Sequence, residues 1–273
     1  MEQGVLDLLR DAGIQVASSD RGYRPTLSLT GYEVKMLKPQ NVVEMLSTGS
    51  RDVGFAGADW VSELGADVVE LLDTGLNPVR IVAAAPKELL VDGQLPDRPL
   101  LVASELEQIT TEWMRRKELN ASFVRTYGAT EVFPPEDADI IVDVAASGAT
   151  LRANGLVIFE ELLTSSTRLF ASRRAMDDPT KRQRLDELVL LLTSVLEARQ
   201  RMIVEANVPE DRLADIVAAL PCMREPTMAP LHGGNGYAVK AAVNKEDLTR
   251  VIPEIKRLGG TDILVTTPTQ IVP

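Results

Sequence analysis

The chain has 273 residues, enough to bury a large core and to form two or three domains. Its net charge of −11, without any basic block, argues against a nucleic-acid partner. Its single cysteine (Cys222) allows no internal disulfide and suits a reducing cytoplasm, and its single histidine (His232) leaves no material for a histidine-rich metal site or a histidine-based triad. No apolar run approaches the roughly 20 residues that cross a bilayer, and Met1 leads into an amphipathic helix instead of a signal peptide, so neither membrane nor export is expected.

In chain order, Val5, Leu6, Leu8 and Leu9 recur at helical spacing and Gly13 closes that helix. Arg21-Gly22-Tyr23-Arg24-Pro25 reads as a turn bearing two cations. A strand is predicted over residues 32–37, followed by Lys38-Pro39-Gln40 and by a helix that Asn41 caps and Gly49 ends. Residues 52–59 form a short buried strand whose glycines permit close approach, and Trp60 opens the next helix. Further strands are predicted at 68–72, 80–85, 100–103, 122–126 and 140–143, with a helix at 108–117 and return strands at 156–163 and 168–172. This alternation predicts an α/β fold with mostly parallel sheets, arranged as two lobes in series with a cleft between them. A long helix starts at Asp178-Pro179, with Leu185, Leu188, Leu192, Val195 and Leu196 at a 3.6 period. After about residue 201 the order is β-α-β-β-α-β, with strands at 202–208, 227–231, 237–243 and 262–266 and helices at 210–220 and 244–258. That is a ferredoxin-like arrangement, with Pro209 at the first helical position and a local kink expected at Pro253.

The most informative stretch runs from 138 to 156. Ile140-Ile141-Val142 ends in Asp143, small residues Ser147-Gly148-Ala149-Thr150 follow, and Leu151-Arg152-Ala153 can begin a helical turn. A strand, a small-residue loop and a helix start gather free backbone N–H groups at one spot, which is an anion cradle. The Ser147 and Thr150 hydroxyls add donors, and Asp143 suits hydroxyls or a metal on whatever carries the phosphate. A tight βα turn with no ligand has the same signature, so on these residues alone both readings stand. Immediately upstream, Tyr127-Gly128-Ala129-Thr130-Glu131 is a second small-residue loop holding a carboxylate.

Taken together these segments resemble the ATP phosphoribosyltransferase family, in its long form with a C-terminal regulatory domain. The stretch from Asp143 to Leu156 resembles that family's phosphoribosyl-pyrophosphate loop. Leu37-Lys38-Pro39-Gln40, the run from Asp52 to Asp59, and Leu71-Leu72-Asp73-Thr74-Gly75 followed by Arg80 are similar to its first-lobe motifs, and Gly128-Ala129-Thr130-Glu131 to a loop carrying a glutamate near the ribose. Segments 207–213, 225–231 and 260–264 are similar to its regulatory domain. The resemblance implies a two-lobe, periplasmic-binding-protein-like catalytic region over 1–202 (lobe I about 1–79 and 168–202, lobe II about 80–167) and a ferredoxin-like βαββαβ domain over 203–273. It implies transfer of the 5-phosphoribosyl group to N1 of ATP with release of pyrophosphate, Mg²⁺ as cofactor, feedback inhibition by histidine and a homo-oligomer in which dimers assemble to a hexamer.

The same resemblance implies Asp143 and Glu131 as catalytic carboxylates on the ribose, and Asp143, Ser147, Gly148, Ala149, Thr150 and Leu151 as the phosphoribosyl-pyrophosphate loop. Lys38, Asp59, Arg80 and Arg24, with Arg21 beside the last, are the implied ATP and polyphosphate contacts. Asn207, Met223, Glu225, Thr227, Ala242 and Asp262 are the implied histidine pocket, and no protein residue is assigned as a direct metal ligand. Two departures accompany the match. The family opens with a strand and a Lys-Gly-Arg-type turn ahead of its first helix, whereas this chain begins at about that helix; the strand and its cation are expected upstream of Met1, with low stability and weak activity without them. The second is Leu100-Leu101-Val102-Ala103-Ser104-Glu105, where the family shows an Arg-Ile-Ala-Thr-like strand. The alternative readings are a two-lobe small-ligand-binding protein and a non-catalytic regulatory paralogue. His232 reads as a surface residue and Cys222 as a small helix-end residue.

Overall fold

The computed structural model describes residues 1–17 and 23–272. Two compact units emerge, one of Met1–Leu6 with Val16–Glu187 and one of Asp7–Gln15 with Leu188–Pro273. The first helix, α1 (Glu2–Asp11), ends where Gly13 takes φ 81°, as a left-handed closing residue should.

In the first unit a short ladder joins β1 (Val16–Ala17) to β2 (Thr26–Leu27). Residues 32–37 are not a strand: the segment alternates in exposure as a strand would, but it forms no ladder among the described residues and is held by Met36 N–H donating to the Tyr23 carbonyl. Alternation alone does not make a strand without a partner edge. Helix α2 (Pro39–Ser47) starts from Lys38 at its N-cap position, with no side-chain cap and with Pro39 at the first helical position, so Asn41 lies inside the helix and is not its cap. The strand β3 (Val53–Gly57) leads into α3 (Ala58–Glu63).

Two elements exceed their sequence expectation. β4 (Val68–Pro86) unites the strands expected at 68–72 and 80–85, and β8 (Leu156–Ser172) unites those expected at 156–163 and 168–172. Gly75 (φ 64°) and Asn77 (φ 49°), between the two expected strands, are accommodated as irregularities in β4 where its register with β8 shifts between Asp73, Leu76 and Val79. Bulges tolerate left-handed residues and a proline without ending the strand. The polar middle of β8 is satisfied rather than broken. Ser165 donates to Asp59 at 2.7 Å, Ser166 to Asp73 at 2.6 Å, and the Thr167 hydroxyl accepts from Asn77 at 3.1 Å.

The remaining strands are β5 (Leu100–Ser104), β6 (Ala121–Arg125) and β7 (Ile140–Ala145), with α4 (Glu107–Arg116) between β5 and β6 and α5 (Ala149–Ala153) after β7. All six long strands form one sheet, in the order β3-β8-β4-β7-β5-β6. The expectation of mostly parallel sheets in series is corrected here. Only β7-β5-β6 pair in parallel, while β3, β8, β4 and β7 pair antiparallel. Because β4 and β8 run through both lobes, the lobes share a continuous sheet. The first lobe has a core of Val43, Leu46, Ala56 and Phe170. The second packs Ile81, Ala83, Val102, Trp113 and Ile140 on one sheet face, and Val82, Ala84, Ile141, Ala145 and Leu151 on the other. Burial on both faces explains the unbroken apolar runs of β4 and β7.

After α6 (Arg173–Asp177) and α7 (Pro179–Gln200), the second unit builds β9 (Arg201–Val208), α8 (Leu213–Ala219), β10 (Thr227–Pro230), β11 (Tyr237–Asn244), α9 (Leu248–Arg257) and β12 (Thr261–Thr266). A single turn of 3₁₀ helix precedes each of α8 and α9, so the helices expected from 210 and 244 begin as α-helix only at Leu213 and Leu248. The strand order β10-β11-β9-β12, all antiparallel, is that of a ferredoxin-like sheet. Val204, Ala206, Val208, Val239, Ala241 and Val243 face Ile216, Val251 and Ile255 of the two helices, leaving the alternate residues on the opposite sheet face.

Candidate active site

The site is assembled at the C-terminal ends of the parallel strands β5, β6 and β7, where an α/β sheet presents loops to a ligand. β7 delivers Asp143. Opposite it on β4 stands Val82, and Arg80 stands opposite Ala145. Arg80 and Asp143 therefore share one sheet face as diagonal neighbours, about 7–8 Å apart in the geometry of such pairs.

Beyond Ala145 the backbone turns at Gly148, which is buried with φ 70° and ψ 13° and forms the N-cap of α5. A side chain there would place its Cβ 3.0 Å from Ile158 Cδ1 and 3.2 Å from Arg152 Nη1. Ser147 Oγ accepts from the Ala149 amide at 3.3 Å, and Arg152 closes the loop by donating to the Ser147 carbonyl at 3.0 Å. Leu151, 3% exposed, pins the turn to the core. Ser147, Ala149 and Thr150 remain exposed on its outer surface, and beyond the Ala149 amide held by Ser147 Oγ the next amides of α5, those of Thr150 and Leu151, belong to the set that a helix leaves unpaired.

Glu131 arrives on the neighbouring loop. Gly128 (φ 104°) and Ala129 (φ 49°) both take left-handed backbone, and the loop is anchored by a buried 2.8 Å bond between the Thr126 and Thr130 hydroxyls and by Thr126 N–H to the Ser104 carbonyl at 3.0 Å. A third carboxylate, not anticipated from the sequence, completes the rim. Glu105 follows the last residue of β5, next to β7, and its Oε1 stands 4.0 Å from where a Cβ on Gly128 would lie. The signal was available, since Glu105 follows the apolar run of β5 as Asp143 follows Ile140-Ile141-Val142, although β7 itself continues past Asp143 to Ala145.

Asp143 is half-buried, and its Oδ1 accepts from the Val144 amide at 2.7 Å. Burial pushes its carboxyl above the usual carboxylate range; Glu131 and Glu105 add to the rise and the Val144 hydrogen bond opposes it. The rim therefore carries like charges that a cationic group would relieve. Among the described residues, no three His, Cys, Asp or Glu side chains are grouped so as to chelate an ion by themselves.

The cations predicted for polyphosphate are less concentrated. Arg80 pairs with Glu161 at 3.3 Å, both side chains about two-fifths exposed. Lys38 is exposed at the start of α2, and Arg24 lies on an exposed bend. Arg21 lies outside the described residues. Asp59 is turned inward at 6% exposure, with Oδ1 bound to the Ser165 hydroxyl and its amide donating back to Ser165 Oγ at 3.0 Å; it faces protein.

In the second unit the structure joins the predicted pocket residues in pairs. Asn207 donates to Asp262 Oδ2 at 2.9 Å and Thr261 donates to the same oxygen at 3.1 Å, with Asp262 held at φ 49°. The Met223 amide donates to the Ala242 carbonyl at 3.2 Å. Thr227 lies opposite Lys240, which pairs with Glu205 at 2.6 Å, and Glu225 is exposed. Asn207, Thr227 and Ala242 lie on the sheet face turned away from α8 and α9. His232 is exposed, and burial raises the Cys222 thiol above its usual range.

Comparison with known proteins agrees with this arrangement. Residues 38–194 match the family model described as ATP phosphoribosyltransferase, and residues 198–268 match the one described as its C-terminal domain. The ATP phosphoribosyltransferase of Pelotomaculum thermopropionicum is 33% identical over all of this chain and 96% of its own, and that of Prosthecochloris aestuarii is 34% identical over 96% and 91%. A solved ATP phosphoribosyl transferase (HisG:HisZ) complex from Thermotoga maritima superposes with a TM-score of 0.63 at 23% identity, over 72% of this chain and 94% of the matched one, which speaks to the fold. With a carboxylate on β7 just before a small-residue cradle, a second sheet of ferredoxin-like order and full-length relatives, the chain belongs to the ATP phosphoribosyltransferase family, in the form that carries the C-terminal domain.

Proposed function

We propose that the cradle of residues 147–151 takes the 5′-phosphate of phosphoribosyl pyrophosphate, and that Asp143 and Glu131 hold its ribose hydroxyls. The family's reaction, the first step of histidine biosynthesis, joins N1 of ATP to C1′ of the phosphoribosyl group and expels pyrophosphate. Departure of pyrophosphate builds positive charge at the anomeric centre and negative charge on the leaving group. Such chemistry asks for positioning and electrostatics, not for a side-chain nucleophile. The cradle fixes the phosphate end through backbone donors, and the rim carboxylates favour positive charge at the sugar. Arg80, sharing their sheet face, turns from Glu161 toward the polyphosphate, with Lys38 and Arg24 as further contacts.

The rim also fits a divalent cation. Its oxygen donors, too dispersed to chelate alone, suit Mg²⁺ carried by substrate phosphates with at most one or two carboxylates. When bound, that ion would neutralise the charge gathering on pyrophosphate. The observation that carries the reading is the junction of Asp143 with the left-handed turn at Gly148.

The C-terminal domain is read as the histidine sensor, with the Asn207–Asp262 pair at its pocket, in a homo-oligomer whose dimers assemble to a hexamer. Pyrophosphate release from ATP and phosphoribosyl pyrophosphate, with and without histidine, tests the whole. Turnover that histidine suppresses and that Asp143→Ala reduces at least a hundredfold is expected. Full activity in Asp143→Ala would remove the site assignment.

A further inference from the structure

The short helix α3 is held at both ends, and each tie reaches a different part of the catalytic unit. At its start Asp59 and Ser165 bond reciprocally, fastening it to the middle of β8. In its middle Trp60 packs against both the first-lobe core and the second-lobe core. At its end the Glu63 carboxylate accepts from the amides of Gln108 and Ile109, each at 3.1 Å and one to each oxygen.

Those two amides are the second and third of α4, the donors that an N-cap side chain ordinarily satisfies. α4 has no cap of its own, because Leu106 stands at its N-cap position. A residue of the first lobe therefore supplies the cap of a second-lobe helix 45 residues away. A cap of this kind is charge-assisted and bidentate, which gives it geometric specificity as well as strength. It also lies close to the rim: α4 starts two residues after Glu105, and the Ser104 hydroxyl joins this turn to β7, accepting from the Leu106 amide at 2.9 Å and donating to the Val142 carbonyl at 2.6 Å.

We infer that Glu63 is a positioning residue whose clasp on the N-terminus of α4 sets the spacing of the two lobes, and so the distance from the Lys38 side of the site to the carboxylate rim. The inference rests on the proposed site. With β4 and β8 alone the lobes could flex about the irregular stretch between Asp73 and Val79. With α3 clasped they move as one body, and both substrates enter a cleft already at its working width.

The test combines kinetics with a distance measurement that needs no activity. Spin labels are placed on exposed residues of the two lobes, as Glu44→Cys and Ser122→Cys in a Cys222→Ala background, and the distance distribution is read by pulsed electron resonance. The clasped protein should give one narrow distribution, unchanged by phosphoribosyl pyrophosphate. Glu63→Ala should broaden it and raise KM for ATP about tenfold, and Glu63→Gln, which keeps one carbonyl acceptor, should fall between. If Glu63→Ala does not fold, the Gln variant carries the comparison alone. An unchanged distribution and a KM within twofold of the parent, even with a lowered melting temperature, would overturn the inference. A broadened distribution in a protein whose parent shows no turnover would uphold the clasp and defeat the functional reading instead.

Discussion

Replacing Gly148 by alanine separates the cradle's role in holding a phosphate from its role in holding the fold. Gly148 has φ 70°, where a β-carbon costs roughly 1–2 kcal/mol. The new methyl would stand 3.0 Å from Ile158 Cδ1 and 3.2 Å from Arg152 Nη1. Both are far ends of flexible side chains, so they yield, at about 0.5–1.5 kcal/mol for a displaced rotamer. The sum is about 2 kcal/mol, or a melting temperature lower by roughly 4–8 °C for a catalytic unit of this size. Displacing Arg152 also frees the Ser147 carbonyl that it holds, and the loop amides shift by tenths of an ångström. One charged hydrogen bond lost is worth about 1.5–3 kcal/mol, so affinity for phosphoribosyl pyrophosphate should fall at least tenfold in a calorimetric titration. Gly155→Ala is the control: Gly155 has φ 74° but nothing within 4 Å of its Cβ, so it should lose stability and keep its affinity. The reasoning fails if Gly148→Ala melts lower yet binds phosphoribosyl pyrophosphate within twofold of the parent.

Three further outcomes follow from the same geometry. Asp143 is raised on folding by burial and by its acidic neighbours, and an acid so raised loses stability as pH climbs through the carboxylate range; Asp143→Asn should therefore melt about 1–3 °C higher at pH 7, converge with the parent near pH 3, where an unfolded aspartate also protonates, and still lose most activity, whereas a lower melting point at pH 7 would contradict the charge argument. Ser165→Ala leaves the buried Asp59 carboxylate without its hydroxyl donor and should cost about 1–3 kcal/mol, read as a denaturation midpoint shift with unchanged slope. Asp262→Gly relieves a left-handed residue while removing the acceptor shared by Asn207 and Thr261, so heat stability should stay within about 2 °C while any response to histidine is lost; retained inhibition would move the pocket elsewhere.

The parts of this molecule that were legible in the sequence are those whose signal is local. Ile140-Ile141-Val142-Asp143 and the small residues after it specify strand, turn and helix start from consecutive positions. The strand and helix order after residue 201 declares a ferredoxin-like sheet. What stayed hidden depends on a partner distant in the chain. Glu105 joins the rim only because β5 lies beside β7, and the contact that fixes them there, Ser104 hydroxyl to Val142 carbonyl, spans 38 residues. The strands expected at 68–72 and 80–85 join through the irregular stretch Gly75-Leu76-Asn77-Pro78 because β8 offers a ladder on its flank. Residues 32–37 show the converse, a strand-like pattern that found no such edge. The Glu63 clasp belongs to the same class, since no local rule links a carboxylate at the end of one helix to the start of another.

The pairing of β3 with β8 also has a consequence for synthesis. Val53 meets Ala171, so β3 leaves the ribosome some 118 residues before its hydrogen-bonding neighbour. At about 5–20 residues per second that is a wait of roughly 6–24 s. During it α2 can pack on β3 and α3 through Val43, Leu46 and Ala56, while the β3 edge that β8 will pair, and Val53, which packs with Ala171, Ala175 and Leu185, stay uncovered. The nascent chain is therefore most exposed to aggregation and to chaperone capture through its first lobe, and faster translation between β4 and β8 should raise soluble yield.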